Sequence, residues 1–547
     1  MSSFQKVAEA SSKFPKPDAA FTYGTAGVRT LGSLLESTVF RVGLLAALRS
    51  KKHGGACIGV MITASHNKEE DNGVKIVEPM GEMLDQSWES YCTDLANAPT
   101  DANVTQILET IVSKENIDLS LPATVAYARD TRPSGPALQA ALESGLAALE
   151  AKPLNFGIVT TPQLHYFVRC INSKNTDNPY GEPTEDGYYK KLAAAFNKLI
   201  EGRAKTDPIH IDAANGVGAP QVLKLSSFIG SDSLDIVVHN DTINVENKLN
   251  VECGADYVKS NQRSPSGVNV QPKQRFCSFD GDADRILFYY VSESTGKFNL
   301  LDGDKIATLA ALYIKEQITD AGLKDLRVGV IQTAYANGSS TEYIQKKLQL
   351  PVVFTKTGVK HLHHEAEKWD IGVYFEANGH GTILFNSKAR DAFNSAQPDT
   401  PAQDDALSRL RALRDLTNET VGDAMSDMLI VEVILRTKGW SLEQWNQCYT
   451  DKANRLLKVI VKDRTIFKTT NAEQTLTSPD GLQSTIDNLV AKYPGSRSFV
   501  RPSGTEDAVR VYAEANSTQD CDELAYKVAG QVFDQAGGRG TRPPEFL

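Results

Sequence analysis

Three short segments carry side chains able to move a phosphoryl group. The run Ile62-Thr63-Ala64-Ser65-His66-Asn67 offers a hydroxyl, and Asp280-Gly281-Asp282-Ala283-Asp284-Arg285 offers three alternating carboxylates. Arg501-Pro502-Ser503-Gly504-Thr505 offers a guanidinium, two hydroxyls and a glycine that lets backbone N–H groups approach an anion. Phosphoryl transfer needs an attacking oxygen, a divalent cation and donors that hold a second anionic group still. Any one segment has an ordinary explanation, but the three together point to that chemistry.

Ser65 directly follows an apolar stretch, at the edge of a sheet where open α/β domains place their ligands. His66, Asn67 and Lys68 beside it are suited to orienting the hydroxyl or stabilising a charged phosphoester. The competing reading is a loop serine beside a helix start, with Asn67 and Glu70 as a capping box. Between Asp280, Asp282 and Asp284, the small residues Gly281 and Ala283 let the backbone bend so that three oxygens converge. An all-carboxylate set selects a hard cation, and Mg2+ is the default beside phosphate. A calcium-binding EF-hand is excluded, because Arg285 and Val291 stand where its loop needs glycine and glutamate. Ser65 is the economical fourth ligand. Arg501, Pro502, Ser503, Gly504 and Thr505, with Arg510 in the strand beyond, form a phosphate cradle. Glu376-Ala377-Asn378-Gly379-His380 puts a carboxylate and an amide on a flexible loop, as sugar hydroxyls require, although a structural turn has the same composition. No P-loop is present, Gly216-Val217-Gly218 lacks the third glycine of a dinucleotide fingerprint, and no GxSxG elbow surrounds Ser65.

The elements that must position these loops alternate. Helical periodicity over 34–49 precedes a strand at 56–62; a strand at 123–128 precedes a helix at 136–149. A polar stretch over 173–185 reads as a linker. Further strands are expected at 209–212, 235–239 and 286–291, then at 327–332, 352–355 and 371–375. A helix over 304–317 opens the third group, and helical residues 404–438 are assigned to it. Strands at 498–500 and 508–514 and a helix at 520–533 suggest a smaller α+β domain. Strand–helix alternation argues for an α/β fold with mixed or parallel sheets. A chain of 547 residues is long enough for three or four domains. The formal charge of −10 argues against a nucleic-acid surface. Seven scattered cysteines without a CxxC pair suit reduced thiols. Neither an apolar leader core nor a membrane-length apolar stretch is apparent, so a soluble cytoplasmic protein is expected.

The ordered set Gly24-Thr25-Ala26-Gly27-Val28-Arg29, Thr63–Asn67, Asp280–Arg285, Glu376–His380 and Arg501–Thr505 resembles the α-D-phosphohexomutase superfamily, from about residue 21 to 515. That resemblance implies four domains around a central cleft, each giving one loop: 1–185 with the phosphoserine, 186–299 with the metal, 300–438 with the sugar loop and 439–547 with the phosphate loop. Lys68-Glu69 stands where relatives acting on glucose or mannose phosphates often have Pro-Gly. Their sugar loops often carry a serine before Gly-His, and a glycine is commoner than Ala283. These departures favour the branch that interconverts N-acetylglucosamine 6-phosphate and 1-phosphate. Another hexose phosphate mutase is the nearest alternative, followed by a phosphoserine-dependent sugar phosphatase. By the same resemblance Ser65 carries the phosphoryl group through a hexose 1,6-bisphosphate, and Mg2+ sits on Ser65, Asp280, Asp282 and Asp284. Arg29 and Arg285 face the phosphoserine, Glu376, Ala377 and Asn378 face the sugar, and His380 and Lys360 are alternative proton carriers. A small-molecule sugar phosphate is the expected partner, with no nucleic acid and no membrane, and the enzyme is expected to be a monomer.

Overall fold

The computed structural model describes residues 4–504 and 507–547. Its first sheet is built from β1 (Val28–Leu31), β2 (Cys57–Ile62), β3 (Asp71–Val77), β4 (Thr124–Arg129) and β5 (Lys152–Ile158), in the order β1-β3-β2-β4-β5. Every residue of β2 is buried, as the apolar run predicts for a central strand. β2, β4 and β5 run parallel, whereas β3 is antiparallel to β2 and β1. The sheet is therefore mixed. The helices Glu36–Lys52 and Gly135–Ala148 pack beside it. Burial of Phe40, Leu44 and Leu48 from the first of these contributes roughly 1.5–3 kcal/mol per side chain.

A second sheet contains β6 (Ile209–Asp212), β7 (Ile236–His239), β8 (Arg275–Phe279), β9 (Ile286–Val291) and β10 (Phe298–Leu301), ordered β10-β9-β8-β6-β7. β8 and β9 are antiparallel partners, with Phe279 opposite Ile286, so the acidic run 280–285 is the loop of a hairpin. The antiparallel partner β10 carries this sheet past residue 299 to Leu301. A third sheet has β11 (Val328–Thr333), β12 (Val352–Thr355), β13 (Ile371–Phe375) and β14 (Gly381–Phe385), ordered β12-β11-β13-β14; residues 376–380 link its last two strands.

The last region holds β15 (Ala453–Ile460), the small pair β16 (Lys468–Thr470) and β17 (Thr475–Ser478), then β18 (Arg497–Pro502) and β19 (Ala508–Ala515). The order β15-β19-β18 is antiparallel throughout, and the helix Thr518–Gln535 buries Leu524, Val528 and Val532 in the same core as Val500, Val509 and Val511. The phosphate-type loop turns from β18 into β19.

The chain divides into two compact units: residues 1–302, 378–382 and 408–442 form one, and 303–377, 383–407 and 443–547 the other. Residues 408–442 pack into the first unit, whereas 383–407 pack into the second. Polar bonds explain the placement. Tyr188 Oη donates to Asp423 Oδ2 at 2.7 Å, Arg275 pairs with Glu432, and Ala424 N donates to Ala283 O at 3.1 Å. All seven cysteines are free thiols. Among the described residues no helix is long and apolar enough to cross a membrane.

Candidate active site

In the first unit, the serine loop leaves β2 in a conformation its backbone must be held to. Ser65 has φ = 53°, a left-handed value that costs a non-glycine residue roughly 1–2 kcal/mol. Its N–H donates to Thr63 Oγ1 at 3.0 Å, and its carbonyl accepts from Arg132 Nη2 and Asn250 Nδ2, both at 2.9 Å. Arg132 is the main clamp. Its guanidinium is fully buried against Asp130 at 3.0 Å and also donates to the carbonyls of Asn67, Lys68 and Asp71. The Ser65 hydroxyl is thereby aimed at the acidic hairpin, donating to Asp280 Oδ2 at 2.7 Å with no solvent exposure.

The hairpin can come this close because residue 281 has no side chain: a Cβ there would lie 2.5 Å from the Ser65 carbonyl oxygen. Asp280 Oδ1 accepts from the N–H groups of Asp284 and Arg285 at 3.1 and 3.2 Å, closing the turn. Ala283 sits at φ = 57°, where glycine would be less strained. Ligand oxygens of Asp280, Asp282 and Asp284 lie within 4.8 Å of one another, and all three residues are buried. Asp282 Oδ1 and Asp284 Oδ1 are buried without a hydrogen bond. Such a set of orphaned hard oxygens fits a divalent cation such as Mg2+.

Lys75 Nζ stands 3.4 Å from Asp282 Oδ2 and 3.5 Å from Asp284 Oδ2, and Thr161 Oγ1 donates to Asp282 Oδ2 at 2.6 Å. Burial, then Asp284 and Asp282, push the Asp280 carboxyl well above the usual carboxylate range. Burial acts on Asp284 in the same direction, yet His380 and Lys75 hold it well below that range. The cage therefore holds its charge unevenly, with the most proton-avid carboxyl facing the serine.

Two guanidinium groups flank the cage. Arg285 Nη1 is 2.8 and 2.9 Å from the two oxygens of Asp256, and its Nε lies 3.7–3.8 Å from Asp284 and Asp280. Arg29 is near enough to feel Arg285 and all three aspartates, and its Nε is buried without a hydrogen bond. His66 Nδ1 is 3.8 Å from Asp256 Oδ2. Burial, reinforced by Arg285, pushes His66 down to about 4, so its imidazole is neutral at physiological pH. His380 is buried, with Nδ1 2.8 Å from the carbonyl and 3.3 Å from the carboxylate of Asp284. Asn378 Oδ1 accepts from the His380 N–H at 3.0 Å. Gly379, at φ = 88°, passes so close to β9 that a Cβ would lie 2.0 Å from Ile286 O.

The second unit holds the remaining residues. Glu376 and Ala377 follow β13, half-buried, and Lys360 is buried in the first turn of the helix Val359–Ala366. Arg501 Nε is 3.2 Å from Glu473 Oε2, which also accepts from Thr357 N at 2.8 Å, two residues before that helix begins. The Arg501 guanidinium lies 5.9 Å from the centre of the Tyr335 ring. Ser503 N donates to Ala508 O at 2.9 Å, closing the loop; Pro502 and Ser503 are half-buried and Gly504 is exposed. Thr505 lies outside the described residues. Arg501 pairs directly with Arg510, and Arg510 with Lys458 on the next strand, so three cations form one row across the sheet.

Comparison with known proteins fits this geometry. Family models described as phosphoacetylglucosamine mutase AMG1 domains II and III match residues 180–287 and 302–440. Phosphoglucomutase/phosphomannomutase domain I matches 42–103 and 95–176, and the C-terminal domain matches 456–531. The phosphoacetylglucosamine mutase of Candida albicans is 48% identical over 97% of this chain and 100% of its own length. The chain belongs to the phosphoacetylglucosamine mutases, within the phosphohexomutase superfamily. An Aspergillus fumigatus N-acetylphosphoglucosamine mutase, solved with N-acetylglucosamine 6-phosphate and magnesium, is 51% identical with a TM-score of 0.94, covering 97% of this chain and 99% of that one. A serine-to-alanine variant of that mutase, solved with glucose 1,6-bisphosphate, is 51% identical with a TM-score of 0.93 and covers 97% and 98% of the two chains.

The first unit of the chain brings together Ser65, His66, Arg29, Asp280, Asp282, Asp284, Arg285, Asn378 and His380. Lys360, Glu376, Ala377, Arg501, Pro502, Ser503, Gly504 and Arg510 belong to the second. Sequence reasoning missed Lys75, Arg132, Thr161, Asn250, Asp256, Lys458 and Glu473. Only Arg132 left a local signal, as one half of an Arg-Asp pair closing an apolar strand.

Proposed function

We propose that this chain interconverts N-acetylglucosamine 6-phosphate and N-acetylglucosamine 1-phosphate, and so supplies UDP-N-acetylglucosamine synthesis. The observation carrying this reading is the buried Ser65 hydroxyl, 2.7 Å from one of three clustered carboxylates. Phosphorylated Ser65 donates its phosphoryl group to the free sugar hydroxyl. The bond from phosphorus to Ser65 Oγ breaks, a bond to the sugar oxygen forms, and the hydroxyl proton passes to a nearby base. The resulting 1,6-bisphosphate returns its other phosphoryl group to Ser65. Mg2+, when bound by Asp280, Asp282, Asp284 and the serine-borne oxygen, neutralises charge on the transferring group.

Arg29 and Arg285 hold that phosphoryl group from the flanks. Arg501, Pro502, Ser503, Gly504, Thr505 and Arg510 hold the phosphate that is not transferred, while Glu376, Ala377 and Asn378 read the sugar. His66 orients the serine loop as a neutral ring. Since His380 Nδ1 is committed to Asp284, Lys360 is the better proton carrier. We assign four domains at the boundaries given above, a monomeric state and a cytoplasmic location. The test is a coupled assay with N-acetylglucosamine, glucosamine and glucose phosphates, together with intact mass. The acetylated substrate should turn over fastest, and a fraction of the protein should carry one phosphate that Ser65→Ala removes. A faster glucose phosphate reaction, or an active Ser65→Ala, rejects the assignment.

A further inference from the structure

The first unit contains a cavity of about 700 Å³ beside the helix Glu185–Leu199 and residues 408–415. This volume falls in the range of metabolite sites, about 300–1,000 Å³. Four cationic side chains, Lys190, Lys191, Lys198 and Arg411, line it against two carboxylates, Glu182 and Asp415, and Lys198 is also paired with Glu201 at 2.9 Å. The excess of positive charge is local, since the whole chain is net −10. Lys191 is held in place by donating to Tyr180 O at 3.0 Å, with its ammonium 3.5 Å from the centre of the Tyr180 ring. Burial lowers its pKa to about 8, so gaining an anionic neighbour would favour the charged ammonium.

The wall of this cavity is connected to the metal loop by short polar bonds. Tyr180 Oη accepts from Glu419 N at 2.9 Å, and Tyr188, on the helix that carries the lysines, donates to Asp423 at 2.7 Å. Asn418 Nδ2 donates to the same Asp423 oxygen at 2.9 Å, and Ala424 N donates to Ala283 O at 3.1 Å. Gly422 packs so closely that a Cβ would lie 2.8 Å from Asp284 O and 2.9 Å from His380 Nδ1. Residues 418–424 thus form a strut from the cavity to the backbone between two metal-cage aspartates.

We propose that this cavity binds a small metabolite bearing a diphosphate, and that its occupancy alters turnover through the strut at residues 418–424. A diphosphate matches a cavity with clustered cations, where guanidinium and ammonium groups make charge-assisted bonds. The site is distinct from the catalytic loops, and its kinetic consequence rests on the activity proposed above.

The test uses the full chain with two probes, inorganic pyrophosphate and UDP, titrated calorimetrically at constant free magnesium. Tighter binding of UDP identifies a nucleoside diphosphate as the ligand, and equal binding identifies the diphosphate alone. The expected result is saturable binding that persists in Arg501→Ala and weakens at least about tenfold in Lys190→Glu, with Lys191→Met as a second variant. In the wild type the probe should change kcat or KM by about fivefold or more, and in Lys190→Glu by much less. No binding at millimolar probe, or binding abolished by Arg501→Ala and untouched in both lysine variants, overturns the site. Binding at the site without any kinetic change overturns the coupling.

Discussion

The proposed serine–metal centre and the proposed phosphate loop are assigned the same chemical group but lie in opposite settings. Around Ser65 the carboxylates are buried, Asp282 completely; Lys75 and Thr161 fasten Asp282, and Arg132 and Asn250 fasten the Ser65 carbonyl, from distant parts of the chain. Around Arg501 the loop is half-exposed, Gly504 reaches solvent, and the guanidinium meets Glu473 and Tyr335 among the described residues. The difference suits the tasks proposed for them. Bond breaking gains from preorganised charge in a water-excluded place, where reorganisation is already complete. Holding a spectator phosphate through a cycle in which the sugar turns over needs grip that can also release.

The sharpest way to break this contrast is at the metal cage. Asp282→Ala removes one oxygen ligand from the cage, and turnover should fall by at least about 10³-fold, since bound-metal stabilisation is worth several kcal/mol. The loss should appear mainly in kcat, with thermal stability unchanged or higher because one buried carboxylate is gone. A variant retaining near-normal kcat would remove the cage from the reaction.

Next in size is Arg132→Ala, which strands Asp130 and frees the serine loop. Breaking such a buried pair costs about 3–5 kcal/mol, readable as a lower urea midpoint together with lost activity. An unchanged midpoint would mean that the serine loop holds its strained shape unaided. Arg501→Ala should behave differently, losing roughly 1.5–3 kcal/mol of substrate binding per charge-assisted contact, seen as a 10- to 100-fold rise in KM with little change in melting temperature. A large fall in melting temperature would instead make Arg501 structural.

The smallest effect is expected at Lys458, exposed at the end of the cation row. Lys458→Ala should weaken substrate by no more than about 1 kcal/mol, and the difference should vanish in high salt. A salt-independent loss would show a direct phosphate contact.

Much of the site was readable because its residue types are tied to local chain geometry. The apolar run before Ser65 does become the central strand β2, and the acidic run does lie between strands, although Arg275–Phe279 was not anticipated as the strand that makes it a hairpin. The helix from Ala424 is where helicity was expected, but its partners Tyr188 and Arg275 lie more than a hundred residues away, so its allegiance to the first unit left no local trace.

By itself the sequence determined which side chains could do the work: the hydroxyl, three hard oxygens at a spacing a tight turn can converge, and guanidinium groups on glycine-containing loops. Tertiary structure alone decided that Ser65 Oγ meets Asp280, that Lys75 from β3 enters the cage, and that His380 backs Asp284. The physical reason is that residue chemistry and short-range turn geometry are encoded within a few positions. The contacts that orient a buried polar group come instead from strand register and packing, and they join residues 96 to 215 positions apart.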